Sequence, residues 1–587
     1  MKNFLKANYI RILMAYFAAF AIINVGHIAT THIITVVIFT FCLISLCWID
    51  ETLKKQTSIS ASRLSFGFAL FFSTLYILAE HNTLTGGLTN RLFCLAYLLF
   101  TYIGLTILFY KLLCCLYALS AECHIFDVSA GNSMTKYHFW IYAAVILLCQ
   151  LPYFLYQYPG VMTPDSINQY KQIIGILPYS NHHPWIHTMV IKLCLSLGHL
   201  FTEDVTVGIA VYTLLQMFIM ALIEAFFITT LRKQGLQRKF SILLVGFFAL
   251  VPYNALFAVT MWKDVLFAGS LLLYTTILYR FCILLRTGKG LCSSPADLVL
   301  FTVSAISMCL MRSNGWYAFL FVTPFCFYFF RKYWKVIGIL HVVIFAVVLT
   351  VKGPVLNAYN VAPTEFTEAL SIPIQQVARV IANGGELTDN QWNSLDKICD
   401  TTQIAPQYDP DLSDPMKNLL YAHGTAYFDE HKAEYFSLWL ELGLTYPLDY
   451  LDAYIDQTKG YWFSISPIGL SNEGIMANDL GLTWQPLIRG TVVIKLYELS
   501  SKLYTIFPIL GILWSIGGLF WIVLAALGNC IVNSKKQYCI LYLPAIAVML
   551  SVMISTPVAA EFRYAYAFIL TAPLLLLASL ENTRTIQ

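Results

Sequence analysis

Charged residues are scarce in this chain of 587 residues. Lys, Arg, Asp and Glu make up 12% of it and hydrophobic residues 58%, whereas ordinary soluble domains are roughly 25% charged. Apolar runs of about 16–25 residues recur along most of the length, and such runs are typical of transmembrane helices. They are continuous rather than alternating, which excludes a lipid-facing β-barrel. The composition therefore predicts an all-α polytopic membrane protein.

Several common motifs are also missing. The chain has no CxxC, no phosphate-cradling glycine loop, no GxSxG and no HExxH, so nothing supports nucleotide-driven or serine-hydrolase chemistry. Most of the fifteen cysteines lie in apolar runs, and Cys399 is the only one in a long polar segment near 357–500. We therefore expect no disulfide-stapled domain there.

Hydropathy predicts about fourteen membrane-spanning helices. They lie near 9–25, 31–49, 63–80, 92–117, 136–156, 205–230, 240–256, 261–282, 296–311, 316–330, 335–352, 503–526, 537–556 and 560–580. Alternate short loops carry clusters of Lys and Arg, which identify the cytoplasmic side and place both termini there.

This alternation holds only if the segment Trp185–Leu200 does not cross the membrane. We interpret it as a juxtamembrane helix in the interface, with a re-entrant half-helix as the alternative. The polar segment is then external. It contains 19 acidic and 7 basic residues and many aromatic ones, which predicts a folded, mostly helical extracytoplasmic domain. The predicted domains are 1–135 (transmembrane helices), 136–352 (transmembrane core with external loop 157–204), 353–502 (extracytoplasmic domain) and 503–587 (transmembrane helices).

Unusual polar residues gather at the predicted external ends of the helices. They are Asp165, His182, His183, Lys263, Asp264, Arg312, Glu561 and Arg563. Each has an ordinary structural alternative, such as a helix N-cap, a snorkelling ion pair or a lipid-phosphate anchor. Their occurrence on one membrane face favours a shared cavity, because ionisable groups at membrane level are costly.

The residue types in this group indicate phosphate chemistry. Lys263, Arg312 and Arg563 suit a phosphate or diphosphate, and Asp165 would act as a general base towards a hydroxyl group. A divalent metal held by Asp165 with His182 and His183 is a weaker alternative, because their separation is not a recognised ligand spacing.

These residues resemble the GT-C superfamily, the integral-membrane glycosyltransferases that use polyprenyl-phosphate sugars. The resemblance depends on Tyr158-Pro159-Gly160, Asp165-Ser166, Gln169 and His183-Pro184-Trp185-Ile186-His187, with support from Arg312, Glu561 and Arg563. Many members have a second acid beside the first, where this chain has Ser166, and His-Pro-Pro where it has His183-Pro184-Trp185. The first departure puts metal dependence in doubt.

The resemblance implies an inverting glycosyltransferase of the external membrane face. We expect no cofactor, apart from the alternative of a divalent metal at Asp165, and no nucleic-acid partner. Asp165 would be the base, Lys263, Arg312 and Arg563 would hold the phosphate, and His182 and His183 would orient the donor sugar or the acceptor. Asp264 and Glu561 are further candidates for the binding site. Gln376 and Arg379 would place the external domain over the cavity, or belong to a solvated helix face.

Two other classes remain open. A flippase for lipid-linked oligosaccharides, or a polysaccharide polymerase, also has many helices and external basic residues. A flippase would line a polar path through both leaflets, whereas charges in the middle of the helices are scarce here. An inert scaffold with an acidic external domain would leave the polar group unexplained. A bacterial plasma membrane is the expected location, and the expected partners are a polyprenyl-phosphate sugar, a glycan, lipid or protein acceptor, and membrane lipid.

Overall fold

The computed structural model describes residues 2–53, 59–127, 136–463, 473–507 and 509–581. All regular secondary structure in these ranges is helical, and the only strand-like pairs there are isolated bridges. The predicted all-α class is therefore confirmed, and the apolar helices identify a multi-pass membrane protein.

Nine helices in the described ranges are long and apolar enough to cross a membrane. They are Ile34–Glu51, Ser62–Thr85, Arg91–Ala121, Tyr137–Gln157, Val205–Lys233, Lys263–Arg286, Arg331–Ala358, Lys536–Ser555 and Phe562–Leu580. A tenth span would combine Arg238–Leu250 with Pro252–Ala258, which meet at a bend of 53°. The bend lies at Pro252, because the residue before a proline is driven out of the helical conformation.

The predicted count of fourteen spans is not confirmed. Helices also form at the four remaining segments, as Lys2–Val25, Pro295–Met311, Ser313–Phe329 and Ile516–Val532. The apolar part of each covers 17 residues or fewer, which is about 26 Å of helix, and a typical hydrocarbon core is about 30 Å thick.

The chain forms two compact units. The first contains residues 1–124, 520–539 and 576–587, with helices Lys2–Val25, Ile34–Leu53, Ile59–Thr85 and Arg91–Ala121. Its first and fourth helices approach closely at Gly104, where a Cβ atom would lie 2.0 Å from the carbonyl oxygen of Phe17. Asp50 forms ion pairs with Arg11 and Lys111 in the same unit.

The second unit contains residues 125–519 and 540–575. Within it, the short helices Pro164–Ile173 and Trp185–His199 follow Lys136–Gln157. Trp185–His199 is not among the candidate spans, which agrees with the predicted juxtamembrane helix. It packs closely against Val205–Lys233, since a Cβ atom on Gly198 would lie 2.5 Å from Cα of Gly208.

A polar helical domain follows the span Arg331–Ala358 in the second unit. Its helices are Ser371–Ala382, Asp389–Asp396, Ile404–Gln407, Asp414–His423, Ala426–Glu430, Lys432–Thr445 and Pro447–Trp462. They surround an apolar core that includes Val377, Leu395 and Leu420. Cys399 is buried there and forms no disulfide. In chain order, helices Thr491–Ser501 and Leu503–Ile506 follow this domain. The last three apolar helices come after them: Ile516–Val532, Cys539–Ser555 and Phe562–Leu580.

Candidate functional site

Backbone pairing brings the start of helix Pro164–Ile173 next to the start of span Lys263–Arg286. Val161 N donates to the carbonyl oxygen of Val259 at 2.9 Å, and Met261 N donates to that of Val161 at 2.9 Å. Gly160 enters this pair with φ +147°, and a Cβ atom there would lie 2.2 Å from Oγ1 of Thr213. The residues that follow these two paired segments, including Asp165 and Lys263, are therefore held side by side.

The first turn of helix Pro164–Ile173 is stabilised without Asp165. Thr163 N donates to Oγ of Ser166 at 2.9 Å, and Pro164 occupies a first-turn position that needs no N–H partner. Trp262 Nε1 donates to Oγ1 of Thr163 at 2.7 Å. The capping role that was one alternative for Asp165 falls to Thr163 and Ser166, and the Asp165 carboxylate faces other groups.

Asp165 lies between two cations. Its Oδ2 accepts from Nη1 of Arg563 at 3.1 Å and lies 3.5 Å from Nζ of Lys263. Lys263 also donates to Nδ1 of His183 at 3.0 Å. The guanidinium of Arg563 rests over the ring of Trp262, 5.2 Å from its centroid. Four separate segments of the second unit therefore meet at one carboxylate.

The protonation states of this group follow from burial and charge. Burial of the Asp165 carboxyl raises its pKa, but the charges of Lys263 and Arg563 outweigh burial and hold the pKa well below its usual range. Burial, together with the charge of Lys263, lowers the pKa of His183 to about 3. At neutral pH, Asp165 is ionised and His183 is a neutral acceptor for the Lys263 ammonium.

Arg312 occupies the turn between helices Pro295–Met311 and Ser313–Phe329. The turn is tight, because a Cβ atom on Gly315 would lie 2.1 Å from the carbonyl oxygen of Met308. Arg312 Nη1 forms an ion pair with Oδ1 of Asp264, whose side chain is 1% exposed. Asp264 therefore holds the Arg312 side chain in position, and Asp264 itself does not line the cleft that Arg312 borders.

Asp165, His183, Lys263, Arg312 and Arg563 all border a cleft of about 720 Å³. We call the lining residues Asp165, His183, Lys263, Arg312 and Arg563 the basic wall. The polar domain contributes a second group of lining residues, which we call the acidic wall: Glu365, Glu368, Asp414, Lys417 and Tyr421. Among the acidic-wall residues, three carboxylates face a single cation.

Contacts within the acidic wall fix its side chains. Lys417 Nζ lies 3.0 Å from Oε2 of Glu368 and 2.9 Å from Oδ1 of Asp414, and Tyr421 donates to Oε1 of Glu368 at 2.7 Å. Burial raises the pKa of Glu368, but the charge of Lys417 outweighs burial and leaves that pKa below its ordinary value. The wall therefore presents the Glu368 carboxylate in its ionised form and in a fixed position.

Two backbone straps hold the polar domain beside the basic wall. In the first strap, Asn181 N donates to the carbonyl oxygen of Ala362 at 2.8 Å, and Ala362 N donates to that of Tyr179 at 2.9 Å. In the second strap, Ser413 N donates to the carbonyl oxygen of Pro557 at 2.8 Å. The first strap joins the segment just before Glu365 to the loop that carries His182 and His183.

A buried chain of hydrogen bonds attaches helix Pro164–Ile173 to helices Trp185–His199 and Val205–Lys233. His187 contacts Gln169 through Nδ1 at 2.9 Å and Tyr212 through Nε2 at 2.7 Å. Tyr212 donates to Gln216 at 2.9 Å, and Gln216 donates to the carbonyl oxygen of Thr260 at 2.7 Å. Burial lowers the pKa of His187 to about 3, so this histidine is neutral and holds the helix in position.

The predicted site residues divide into three groups. The first group lines the cleft: Asp165, His182, His183, Lys263, Arg312 and Arg563. Asp264 and Glu561 lie just behind that lining. Burial raises the pKa of Glu561.

Gln376 and Arg379 are not brought to the cleft. Gln376 accepts from Trp439 Nε1 at 2.8 Å inside the polar domain. Arg379 pairs with Asp456 at 2.7 Å and Asp452 at 3.4 Å on helix Pro447–Trp462. Both side chains therefore hold helices of the polar domain together, and they contribute to the cleft only by shaping that domain.

The chemistry at Asp165 is that of an anion among cations. A divalent cation bound there would have to displace Lys263 and Arg563 from the carboxylate. Within the described ranges, no group of three or more His, Cys, Asp and Glu side chains is arranged to hold a metal ion. The lining residues are instead suited to an anionic ligand on the basic wall.

A model for a "Family of unknown function (DUF6020)" matches residues 178–587, more than half of the chain. The chain belongs to this family. The DUF6020 match includes His183, Lys263, Arg312 and Arg563, whereas Asp165 precedes it. No curated protein matches the chain, and no solved structure does.

The cleft lining of this DUF6020 protein also includes residues that the sequence-based prediction does not name, among them Lys352, Glu368, Lys417 and Tyr421. The three in the polar domain lie among many other charged residues of that segment, so composition does not distinguish them. Lys352 had one available signal, which is a lysine next to Gly353 and Pro354 near the end of an apolar run.

Proposed function

We propose that this protein is an inverting glycosyltransferase of GT-C type. It transfers a sugar from a polyprenyl-phosphate donor to a glycan, lipid or protein acceptor on the external face of a bacterial plasma membrane. The supporting observation is the Asp165 carboxylate, held by Lys263 and Arg563 in a cleft at the ends of apolar helices. One site thus offers a base for a hydroxyl group and cations for a phosphate.

In this proposal, the acceptor hydroxyl loses its proton to Asp165 as its oxygen attacks the anomeric carbon. The bond between that carbon and the phosphate oxygen breaks, and the electron pair leaves with the polyprenyl phosphate. Lys263, Arg312 and Arg563 stabilise the charge on the leaving phosphate. Attack from the face opposite the phosphate inverts the anomeric configuration.

Binding of the donor phosphate would also change the pKa of Asp165, the proposed base. The two cations hold the pKa of Asp165 low, and a carboxylate with a low pKa is a weak base. A phosphate that takes hydrogen bonds from Lys263 and Arg563 weakens their attraction for Asp165. The pKa of Asp165 would then rise, and the base would become stronger when the donor is in place.

The acidic wall fits the acceptor side of such a reaction. Its carboxylates repel a phosphate, which directs the charged end of the donor towards the basic wall. Glu368, held by Lys417 and Tyr421, offers acceptor oxygens to hydroxyl groups. A hydroxyl-rich acceptor therefore complements this wall.

Native mass spectrometry of gently solubilised protein tests the proposal. Wild type should carry a polyprenyl monophosphate or its sugar ester, and Lys263→Gln should lose it. Lys171→Gln is the matched control, because Lys171 pairs with Asp479 and does not line the cleft. A bound lipid-diphosphate oligosaccharide would favour a polymerase or a flippase instead, and wild type without any specific lipid would contradict the proposal.

A further inference from the structure

Lys352 is the cation of the cleft that has no carboxylate partner. Every other lysine or arginine in the cleft lining is paired with one: Lys263, Arg312, Lys417 and Arg563. Lys352 forms no salt bridge with any carboxylate in the described part of the chain. Its ammonium lies 5.3 Å from the centroid of the Trp316 ring, a contact that favours the cation and leaves its N–H groups available.

The position of Lys352 along its helix corresponds to a membrane surface. It follows Arg331 by about 20 residues in the span Arg331–Ala358, which is about 30 Å of helix and matches a typical hydrocarbon core. Arg331 and Lys332 mark one end of that core. Lys352 therefore lies at the level of lipid head groups at the other end.

The backbone around Lys352 is unusual for a membrane helix. Residues Val351–Val355 form a π-helical turn that contains Pro354. Such turns are rare and frequently occur at functional sites. The turn ends the apolar part of the span where Lys352 lines the cleft.

The cations of the cleft differ in how easily they can bind an anion, because all of them except Lys352 are already paired with a carboxylate. An anion that binds Lys263 or Arg563 must compete with Asp165, and one that binds Arg312 must compete with Asp264. An anion at Lys352 displaces no carboxylate. We propose that Lys352 is a binding position for the phosphate of a lipid in the cleft, because a phosphate there forms its charge-assisted contact without breaking an existing ion pair.

This inference takes the kind of ligand, a lipid phosphate, from the proposed function. It adds the residue that captures the ligand, and it can be tested without sugar transfer. The probe is farnesyl phosphate, titrated into the purified full-length protein in a non-ionic detergent by calorimetry. Inorganic phosphate and farnesol, titrated separately, distinguish a lipid phosphate from a free phosphate and from an apolar chain.

We expect Lys352→Gln to bind farnesyl phosphate about tenfold more weakly than wild type, because one charge-assisted hydrogen bond is lost. Lys352→Arg should restore binding. Lys335→Gln is the matched control, since Lys335 also lies over a tryptophan ring, that of Trp334 at 5.9 Å, but at the other end of the same span. Unchanged thermal unfolding of Lys352→Gln would show that its fold is intact.

Equal affinity of wild type and Lys352→Gln would overturn this inference and leave the phosphate site of the proposed function standing. Failure of wild type to bind farnesyl phosphate would overturn both. Inorganic phosphate binding as tightly as farnesyl phosphate would overturn the lipid assignment. Farnesol binding as tightly would show that the charge at Lys352 is not what captures the ligand.

Discussion

Arg563 Nη1 donates to Oδ2 of Asp165 at 3.1 Å, although 398 positions separate the two residues in the chain. Asp165 is the second residue of a short helix, and Arg563 is the second residue of the last apolar helix. Their contact joins two distant parts of the second unit at one point. Removing either side chain should therefore disturb the site at this junction.

Asp165→Asn should fold and lose sugar transfer by roughly 100- to 10,000-fold, the usual contribution of a general base. The amide keeps the size of the carboxylate but does not accept the proton. Transfer from the donor identified by mass spectrometry is the measurement. Asp479→Asn is the control, because that carboxylate is largely exposed and pairs with Lys171; full activity of Asp165→Asn would refute the base assignment.

Arg312→Met should reduce the free energy of unfolding by about 3–5 kcal/mol, because it leaves Asp264 buried without its partner. The double variant Arg312→Met with Asp264→Leu should recover much of this loss, since no unpaired charge then remains. Denaturant unfolding of the wild type, both single variants and the double variant measures the coupling. Additive losses would show that the ion pair does not stabilise the protein.

Acidification should destabilise the protein between pH about 6.5 and 3. Burial lowers the pKa of His187 to about 3, from an ordinary value of 6.5. In that window the unfolded chain binds a proton on this histidine and the folded protein does not, so stability falls as the pH falls. His183, with a pKa of about 3, acts in the same direction.

His187→Gln should therefore flatten the dependence of melting temperature on pH below 6.5. The exposed His423 offers the control, because His423→Gln leaves the buried histidines unchanged. Equal slopes for wild type and His187→Gln would show that His187 is not neutral in the folded protein.

Gly160→Ala should destabilise the second unit by about 1–3 kcal/mol, because φ at this position is +147°. The new Cβ atom would also lie 2.2 Å from Oγ1 of Thr213. Gly246→Ala is the matched control, since a Cβ atom there meets nothing within 4 Å. Thermal unfolding compares the two, and equal melting temperatures would show that the 160 turn relaxes without cost.

The parts of the fold that the sequence predicts are those that depend on local composition. Apolar runs and turn residues depend on neighbours in the chain, so the helical class and the short helix at Trp185 follow from the sequence. The span count does not, because several runs form helices too short for the hydrocarbon core. A run of apolar residues indicates burial, but it does not determine how many of those residues form one unbroken helix.

The cleft itself depends on contacts between distant segments. Loop charges predict that Asp165, Lys263 and Arg563 face one side of the membrane, and the structure places both Lys263 and Arg563 within 3.5 Å of the Asp165 carboxylate. Gln376 and Arg379 show the limit of that reasoning. They lie on an amphipathic helix whose polar side chains bind neighbouring helices, and the sequence alone does not distinguish such contacts from a ligand site.

Main-chain hydrogen bonds form both backbone straps, through Ala362 and through Ser413. A hydrogen bond between two main-chain groups does not depend on which side chain stands at either position. Most substitutions at Ala362 or Asn181 therefore leave the donors and acceptors of the first strap in place, whereas proline removes a donor N–H and breaks one bond. The attachment of the polar domain to the loop of His182 and His183 is thus tolerant of side-chain change and sensitive to proline.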